Sequence, residues 1–398
     1  MKIAFILTNY YPHMDAVGNC VNRVIQNLSQ SNKIDILCLN EINSNKPVIY
    51  EGCKIIYCGS KFNQITTSNK KCGKIIQLLL RLLRFITIVF SKNLLRRDVY
   101  NSIYKVLKTN RYDAIVPCMY PVEGVLAALD SGCNKVIPYM FDNFVDCNDY
   151  YRFNIFKKIF YNSNMKLMFS ILSRSSGVIA TPTFKPFMES YFKNIEINYC
   201  EHPLLANRTI ENLSTHVGQV KCLYAGSLVR NYIVPENCLS FIDLISNKID
   251  ICVHFYIGGN ALEGVKQATI NNPRIFSWAD FIPRDQLISE YRNYDIFISI
   301  AERSGKQFSS KIFDYISTGK PIIHFYEAEN DINLNILRKY PKALLIKSDE
   351  FKDSNLLSEY LKFFFKKNDR VDYDTIKKLY ADADPLYTCQ ILETMLKK

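Results

Sequence analysis

Gln307-Phe308-Ser309-Ser310-Lys311-Ile312-Phe313-Asp314-Tyr315-Ile316-Ser317-Thr318-Gly319-Lys320-Pro321-Ile322-Ile323 carries an acid one turn into a serine-started helical stretch, closes on a glycine and runs into an apolar strand. Ser309 or Ser310 has the hydroxyl that an N-cap needs. The spacing therefore predicts a helix start whose amides and dipole favour an anion such as a pyrophosphate. Asp314 follows Ser310 by four residues and shares its helix face, so its carboxylate can accept the two hydroxyls of a ribose. Gly319 ends the helix, and Lys320-Pro321 leads into the strand Ile322-Ile323-His324-Phe325. A capped helix closing on glycine before a strand is also ordinary α/β architecture, and the rest of the chain has to decide between the two readings.

Outward from this segment the pattern repeats. Strands are expected at 221–225, 252–258, 274–276, 296–299, 321–325 and 343–346, with helices between them. The N-terminal half alternates in the same way, with strands expected at 2–7, 34–39, 54–58, 114–117, 135–140, 177–181 and 195–199 and a first helix at 16–31. Repeated strand-helix-strand units imply parallel, doubly wound sheets. A chain of 398 residues exceeds one ordinary core, so two Rossmann-like domains facing across a cleft are expected. The boundaries are read as 1–206, 207–373 and a helical tail 374–398 that packs back on the first domain, with a polar linker at 207–219. Ligands of open α/β sheets bind at the carboxyl ends of the strands.

Composition narrows the function classes. The thirteen cysteines are scattered without a Cys-x-x-Cys pair, which argues against zinc and a disulfide framework and for reduced thiols in a cytoplasm. The run Lys2-Ile3-Ala4-Phe5-Ile6-Leu7 is too short for a signal peptide and is read as a buried strand. The net charge of +12 fits anionic partners: nucleotide phosphates, lipid headgroups or nucleic acid. The basic residues are dispersed and no recognition module is present, so nucleic acid ranks last. Neither a Gly-x-Gly-x-x-Gly fingerprint nor a phosphate-loop motif occurs, which disfavours nicotinamide chemistry and phosphate-loop ATPases.

Candidate residues lie at strand ends. In Tyr224-Ala225-Gly226-Ser227-Leu228-Val229-Arg230, Gly226 permits close backbone approach at a turn and Arg230 offers a planar fork to a phosphate; a solvated surface arginine is the plainer alternative. The loop Tyr10-Tyr11-Pro12-His13-Met14-Asp15-Ala16-Val17-Gly18 offers His13 and Asp15 to an acceptor hydroxyl and Gly18 to a ligand's close approach, or it is a plain loop with a capping aspartate. Asp142 ends another first-domain strand and is a candidate contact to acceptor or sugar. The stretch 74–90 is apolar with Arg81 and Arg84 inside it and further basic residues after it. It is either a helix packed on the first sheet or one lying in a membrane headgroup plane.

Together the segments Tyr112-Asp113-Ala114-Ile115-Val116, Ala180-Thr181-Pro182-Thr183, Tyr224 to Leu228, Tyr294-Asp295-Ile296-Phe297-Ile298-Ser299 and Ser310 to Pro321, with Tyr11-Pro12 and Gly18 near the start, resemble the GT-B glycosyltransferases of the group-1 or family-4 type. The resemblance spans the chain and implies transfer of a sugar from a nucleoside diphosphate to a hydroxyl. It implies a ribose contact from Asp314, diphosphate contacts from Ser309, Ser310, Lys311 and Arg230, retained anomeric configuration, and no cofactor beyond the nucleotide sugar. No Asp-x-Asp pair suggests a metal, and fixed amides and cations would stabilise the leaving group instead. One departure stands out. The family's two glutamates are separated by seven residues; here Asp314 holds the second position and Lys306 the first, so Glu302 is the candidate substitute. The expected protein is a cytoplasmic enzyme, peripheral on the inner face of the membrane, that extends a lipid-linked or surface polysaccharide. The alternatives are a noncatalytic nucleotide-sugar binder and a nucleotide-sugar epimerase, the latter using His13, Glu302 and Asp142 as acid and base.

Overall fold

The computed structural model describes residues 1–12, 14–39, 47–58, 96–141, 145, 154–193, 195–208, 218–348, 350–366 and 369–397. The chain divides into two compact units, Met1–Leu204 with Asp382–Lys398, and Leu205–Ala381. His13, Arg81, Arg84 and Asp142 lie outside the described residues.

The first unit is a Rossmann-like α/β domain. Its strands β1 (Lys2–Leu7), β2 (Lys33–Cys38), β3 (Val48–Tyr50), β4 (Cys53–Tyr57) and β5 (Ala114–Pro117) form a sheet of order β3-β4-β2-β1-β5. The pairs β1–β2, β1–β5 and β2–β4 are parallel. Bridges Ile115–Val136 and Cys118–Tyr139 carry this order towards a smaller sheet of β6 (Tyr139–Met140), β7 (Val178–Ala180) and β8 (Ile197–Tyr199). Strand β1 is buried from Ile3 to Leu7, as a near-continuous apolar run flanked on both sides must be. Helices α1 (Ala16–Leu28), α2 (Arg97–Asn110), α3 (Val122–Asp130), α4 (Asn154–Arg174) and α5 (Lys185–Tyr191) connect the strands.

Strand β3 was not expected from the sequence. It pairs antiparallel with β4 through Glu51 and Gly52, both at positive φ (48° and 77°), the backbone that a two-residue hairpin of right-handed twist demands. The expected strand at 135–140 shrinks to Tyr139–Met140 because Pro138 lacks the N–H that a ladder needs.

The second unit carries a six-stranded sheet, order β11-β10-β9-β12-β13-β14. The strands are β9 (Val220–Leu228), β10 (Ile251–Gly259), β11 (Phe276–Ala279), β12 (Ile296–Ile300), β13 (Ile322–Tyr326) and β14 (Ala343–Lys347), and all adjacent pairs are parallel. The order reverses at β9–β12, which is a topological switch point. The intervening helices are α6 (Glu236–Ser246), α7 (Glu263–Asn271), α8 (Arg284–Glu290), α9 (Lys311–Ile316), α10 (Leu334–Leu337), α11 (Ser354–Phe365) and α12 (Tyr373–Leu379). Phe241 centres an aromatic cluster with Phe325, Phe351, Tyr360 and Phe364 that seals one face of the sheet.

The tail from residue 374 is not one helix. α12 ends at Leu379 within the second unit, and a separate helix α13 (Pro385–Lys397) begins where proline favours the first helical position. α13 packs on α1 inside the first unit, where Cys389 Sγ lies 3.3 Å from Val24 O and Lys135 Nζ donates to Leu396 O.

Candidate functional site

Helix α9 is held at both ends and from beneath. Tyr315 stacks on Phe297 of β12 at 4.5 Å with the rings 3° from parallel, and Tyr291 meets both rings edge-on. At the C-terminal end Gly319 takes φ +73°, and a Cβ there would sit 2.3 Å from Val371 O. This position combines a left-handed turn with close backbone approach, both of which only glycine accepts. Beyond it Lys320 is buried and donates to Tyr291 O at 2.7 Å and Tyr294 O at 2.5 Å, closing the turn that precedes β12.

The N-terminal end corrects the sequence reading. Ser310 is already in helical conformation and caps nothing. The amide of Ser309 donates to Asn333 Oδ1 at 2.9 Å and so is engaged within the protein. α9 is six residues long, shorter than the segment's pattern implied. Its start is set by a buried side-chain chain. Ser299 Oγ and His324 Nδ1 are 3.0 Å apart, and His324 Nε2 and Asp331 Oδ2 are 2.8 Å apart. Asp331 Oδ1 takes the Asn333 amide and Nδ2, and Nδ2 also donates to Gln307 O. His324 and Asp331 have fully buried side chains, where only satisfied polar groups are tolerated.

Asp314 lies on the buried side of α9 with its side chain 6% exposed. Its Oδ1 accepts from Arg208 Nη2 at 2.9 Å and from Arg284 Nη2 at 2.6 Å. Arg208 is 8% exposed and its buried Nε has no hydrogen-bond partner; Arg284 is 28% exposed. Lys311, one turn before Asp314, feels both partners. Burial lowers its pKa, Asp314 opposes this and Arg284 reinforces it. Burial also pushes the Tyr291 phenol well up, and Asp314 adds to the effect. Two guanidinium groups thus share one carboxylate, with Lys311 one turn away on the same helix, an excess of positive charge in a partly desolvated place, where an uncompensated charge is costly.

Neither arginine was singled out from the sequence. Arg208 falls in the stretch read as a linker, yet Ala206 N donates to Ser317 Oγ and Arg208 N to Ser317 O, so residues 206–208 lie along the end of α9. Its only sequence signal was the apolar Leu204-Leu205 just ahead of it. Arg284 opens α8 after Pro283, and nothing in the sequence connects it to Asp314.

The other expected residues fall as follows. Gly226 is not at a turn: it continues β9 opposite Ile257, and a Cβ there would meet Tyr224 OH at 2.7 Å. The turn comes at Asn231, φ +66°. Arg230 is exposed, its amide donates to Asn260 Oδ1 at 2.8 Å, and it forms no ion pair with Asp314. Asp15 caps α1: Oδ1 accepts from Gly18 N at 2.8 Å and Oδ2 from Asn9 Nδ2 at 3.0 Å. The space over Gly18 is filled by Asn9 O, 2.5 Å from where a Cβ would sit, so the protein's own backbone makes the close approach assigned to a ligand. Glu302 is buried, and its carboxylate accepts from Ser304 N, Ser304 Oγ and Lys306 N at 2.9, 2.5 and 3.4 Å. It therefore shapes its own loop, while Lys306 is exposed. Among the described residues no group of three or more His, Cys, Asp and Glu could hold a metal ion. None of the described helices is long and apolar enough to cross a membrane.

Solved structures align with the chain over its whole length. Sucrose-phosphate synthase from Thermosynechococcus elongatus aligns over 100% of this chain and 99% of its own at 11% identity and TM-score 0.65. The fold is that of the GT-B glycosyltransferases. The lipopolysaccharide outer core galactosyltransferase WaaB in its apo form aligns over 100% and 99% at 13% identity and TM-score 0.57. An E. coli trehalose-6-phosphate structure bound with UDP-2-fluoro glucose has the same coverage at 7% identity and TM-score 0.58. No protein-family model and no curated protein sequence matches the chain. At such identities the GT-B likeness carries fold, and function has to come from the chain's own residues.

Proposed function

We propose that the chain is a glycosyltransferase that takes a sugar from a nucleoside-diphosphate donor and passes it to a hydroxyl of a glycan or lipid-linked acceptor. The observation that carries this reading is the excess of cations at Asp314. Arg208 and Arg284 share a single carboxylate, with Lys311 one turn before it on the same helix, and a diphosphate is an anion that would balance them. In this reading Arg284 and Lys311 face the phosphates and Arg208 backs them. They stabilise the negative charge that develops on the departing diphosphate as the bond between the anomeric carbon and the phosphate oxygen breaks. Asp314 Oδ2, which takes no hydrogen bond from the described residues, accepts from a ribose hydroxyl. Retention of anomeric configuration, independence of metal, a polysaccharide product and a place on the inner face of the membrane belong to the same reading. UDP-2-fluoro glucose in one structure of this fold is consistent with a nucleotide-sugar donor.

Titration calorimetry of UDP, GDP and ADP against wild type, Arg284→Ala and Asp314→Ala tests it. Saturable binding of one nucleotide, weakened at least about tenfold in Arg284→Ala by loss of a charge-assisted contact, is the expected outcome; no binding by any of them overturns the reading. A second reading, binding without turnover, draws on Glu302. Its carboxylate is engaged by Ser304 and Lys306, and Lys306 stands where the resembling family has its first acid. Nucleotide-sugar binding with neither transfer nor slow hydrolysis would select it.

A further inference from the structure

The second sheet reverses its order at β9–β12, and open α/β sheets take ligands outside the carboxyl ends of the strands at such a point. The loops that leave β9 and β12 there touch each other, since Arg303 N donates to Tyr232 O at 2.8 Å. The loop after β12 is pinned along its length. Glu302 accepts from Ser304 N at 2.9 Å and from Lys306 N at 3.4 Å. Gly305 takes φ +68°, where a Cβ would sit 2.8 Å from Asp331 Cα, and its carbonyl accepts from Ile332 N at 2.9 Å. Asn333 Nδ2 holds Gln307 O at 3.1 Å. Between these two anchored residues stands Lys306, exposed.

The acids around this loop are already engaged. Glu302 serves Ser304 and the Lys306 amide. After β13, Glu327 pairs with Arg303 at 3.3 Å and Glu329 pairs with Lys347. Asp331 accepts from Asn333 and faces His324 Nε2 at 2.8 Å. After β9, the exposed Arg230 is followed by the exposed Glu236 in the first turn of α6, so that loop carries one charge of each sign. Lys306 Nζ has no ion-pair or hydrogen-bond partner among the described residues. An ammonium has three donors and no acceptor, whereas a neutral sugar ring presents hydroxyls that also need acceptors. No unengaged carboxylate remains on this loop to accept from them. The group that an unpaired ammonium recognises with most strength is a carboxylate or a phosphate.

We propose that the sugar of the donor bears a carboxylate, as a hexuronic acid does, and that Lys306 pairs with it. The inference deepens the proposed function and rests on it. There Asp314 takes the ribose, and Lys311, one turn earlier, faces the phosphates with Arg284. Lys306 stands five residues before Lys311, so nucleoside, diphosphate and sugar follow the order of these three residues back along the chain. With the diphosphate served by Arg284 and Lys311, the charge that Lys306 answers is the sugar's own.

Titration calorimetry of the full chain tests it, with UDP, UDP-glucose, UDP-glucuronic acid, UDP-galactose and UDP-galacturonic acid in one series and GDP, GDP-mannose and GDP-mannuronic acid in the other. In wild type a carboxylated donor of the preferred nucleotide should bind at least about tenfold more tightly than its neutral counterpart, through one added charge-assisted contact. Lys306→Met should abolish that difference and leave binding of the bare nucleoside diphosphate unchanged. Lys306→Glu should reverse the preference, because a second carboxylate repels the first. The position is exposed and its side chain holds nothing in the fold, so both variants should melt as wild type does. Equal binding of neutral and carboxylated donors by wild type overturns the proposal. A preference that survives in both variants overturns it as well and moves the sugar contact to another residue. A Lys306→Met variant that weakens the bare diphosphate as much as the carboxylated donor overturns it too and makes Lys306 a phosphate contact. Failure of wild type to bind any bare nucleotide is a separate result: it removes the donor site of the proposed function, and this inference with it.

Discussion

Arg284 reaches Asp314 across 30 residues of sequence and closes on its Oδ1 at 2.6 Å, the same oxygen that Arg208 holds at 2.9 Å. A carboxylate shared by two guanidinium groups is a fixed acceptor, and its removal strands Arg208 in a buried place. Asp314→Ala should therefore cost about 3 kcal/mol, the order found when one partner of a buried ion pair is deleted. Arg284→Ala should cost under about 1 kcal/mol because Arg284 is partly exposed and Arg208 remains. Urea unfolding of both variants checks the ranking, and equal costs would contradict it.

Lys320 gives the second unit a pH signature. Burial, reinforced by Arg370, lowers its pKa from an ordinary value near 10.5 to about 7. Between these values the unfolded chain holds a proton that the folded chain lacks, so this group adds stability as pH rises from about 7 towards 10.5. That stability is lost again as pH falls through 7. The slope reaches at most about 1.4 kcal/mol per pH unit. Denaturant unfolding at pH 7 to 9 should show stability rising more steeply in wild type than in Lys320→Met. The variant should also lose roughly 1–3 kcal/mol from the unserved carbonyls of Tyr291 and Tyr294. Parallel pH profiles would refute the assignment.

Gly319→Ala should destabilise by roughly 2 kcal/mol or more. Alanine would have to hold φ +73° with its methyl 2.3 Å from Val371 O, and that oxygen is backbone fixed by the Val371 N–Gly319 O hydrogen bond at 3.0 Å. Thermal unfolding reads this directly; a loss under half that size would mean that residues 370–372 shift freely.

Asp331→Ala removes the acceptor of His324 Nε2 and of both Asn333 donors. A loss of about 3 kcal/mol is expected for a buried charged acceptor with several partners. Hydrogen exchange should report it locally. The Ser309 amide, protected in wild type by Asn333 Oδ1, should exchange faster in the variant relative to amides of β9. Unchanged relative protection would show that Asn333 keeps its place without Asp331.

How far the sequence could be read follows from what each feature depends on. The parallel strands were legible because β1, β9 and β12 are short apolar runs buried on both faces, a property local in sequence. Gly319 as helix terminator was legible for the same reason. Strand β3 was not, since Val48–Tyr50 is three residues long and exists only because Glu51-Gly52 returns it to β4. Ser310 has the composition of a cap, but Asn333 holds the loop ahead of it so that α9 begins without one.

The sequence by itself determined two α/β units, their parallel strand patterning, the helix that carries Asp314 and the glycine that ends it. These rest on hydrophobic periodicity and backbone chemistry spanning a few residues. Only the tertiary structure decided which charges meet. Arg208 and Arg284 stand 106 and 30 residues from Asp314, and Arg230, a phosphate-contact candidate from the sequence, is exposed and forms no ion pair with Asp314. Glu302 and Asp15 carry the right chemistry but spend it on Ser304 and Gly18. Electrostatic partners are set by distance in space, and the order of a chain does not encode that distance until its strands and helices are packed.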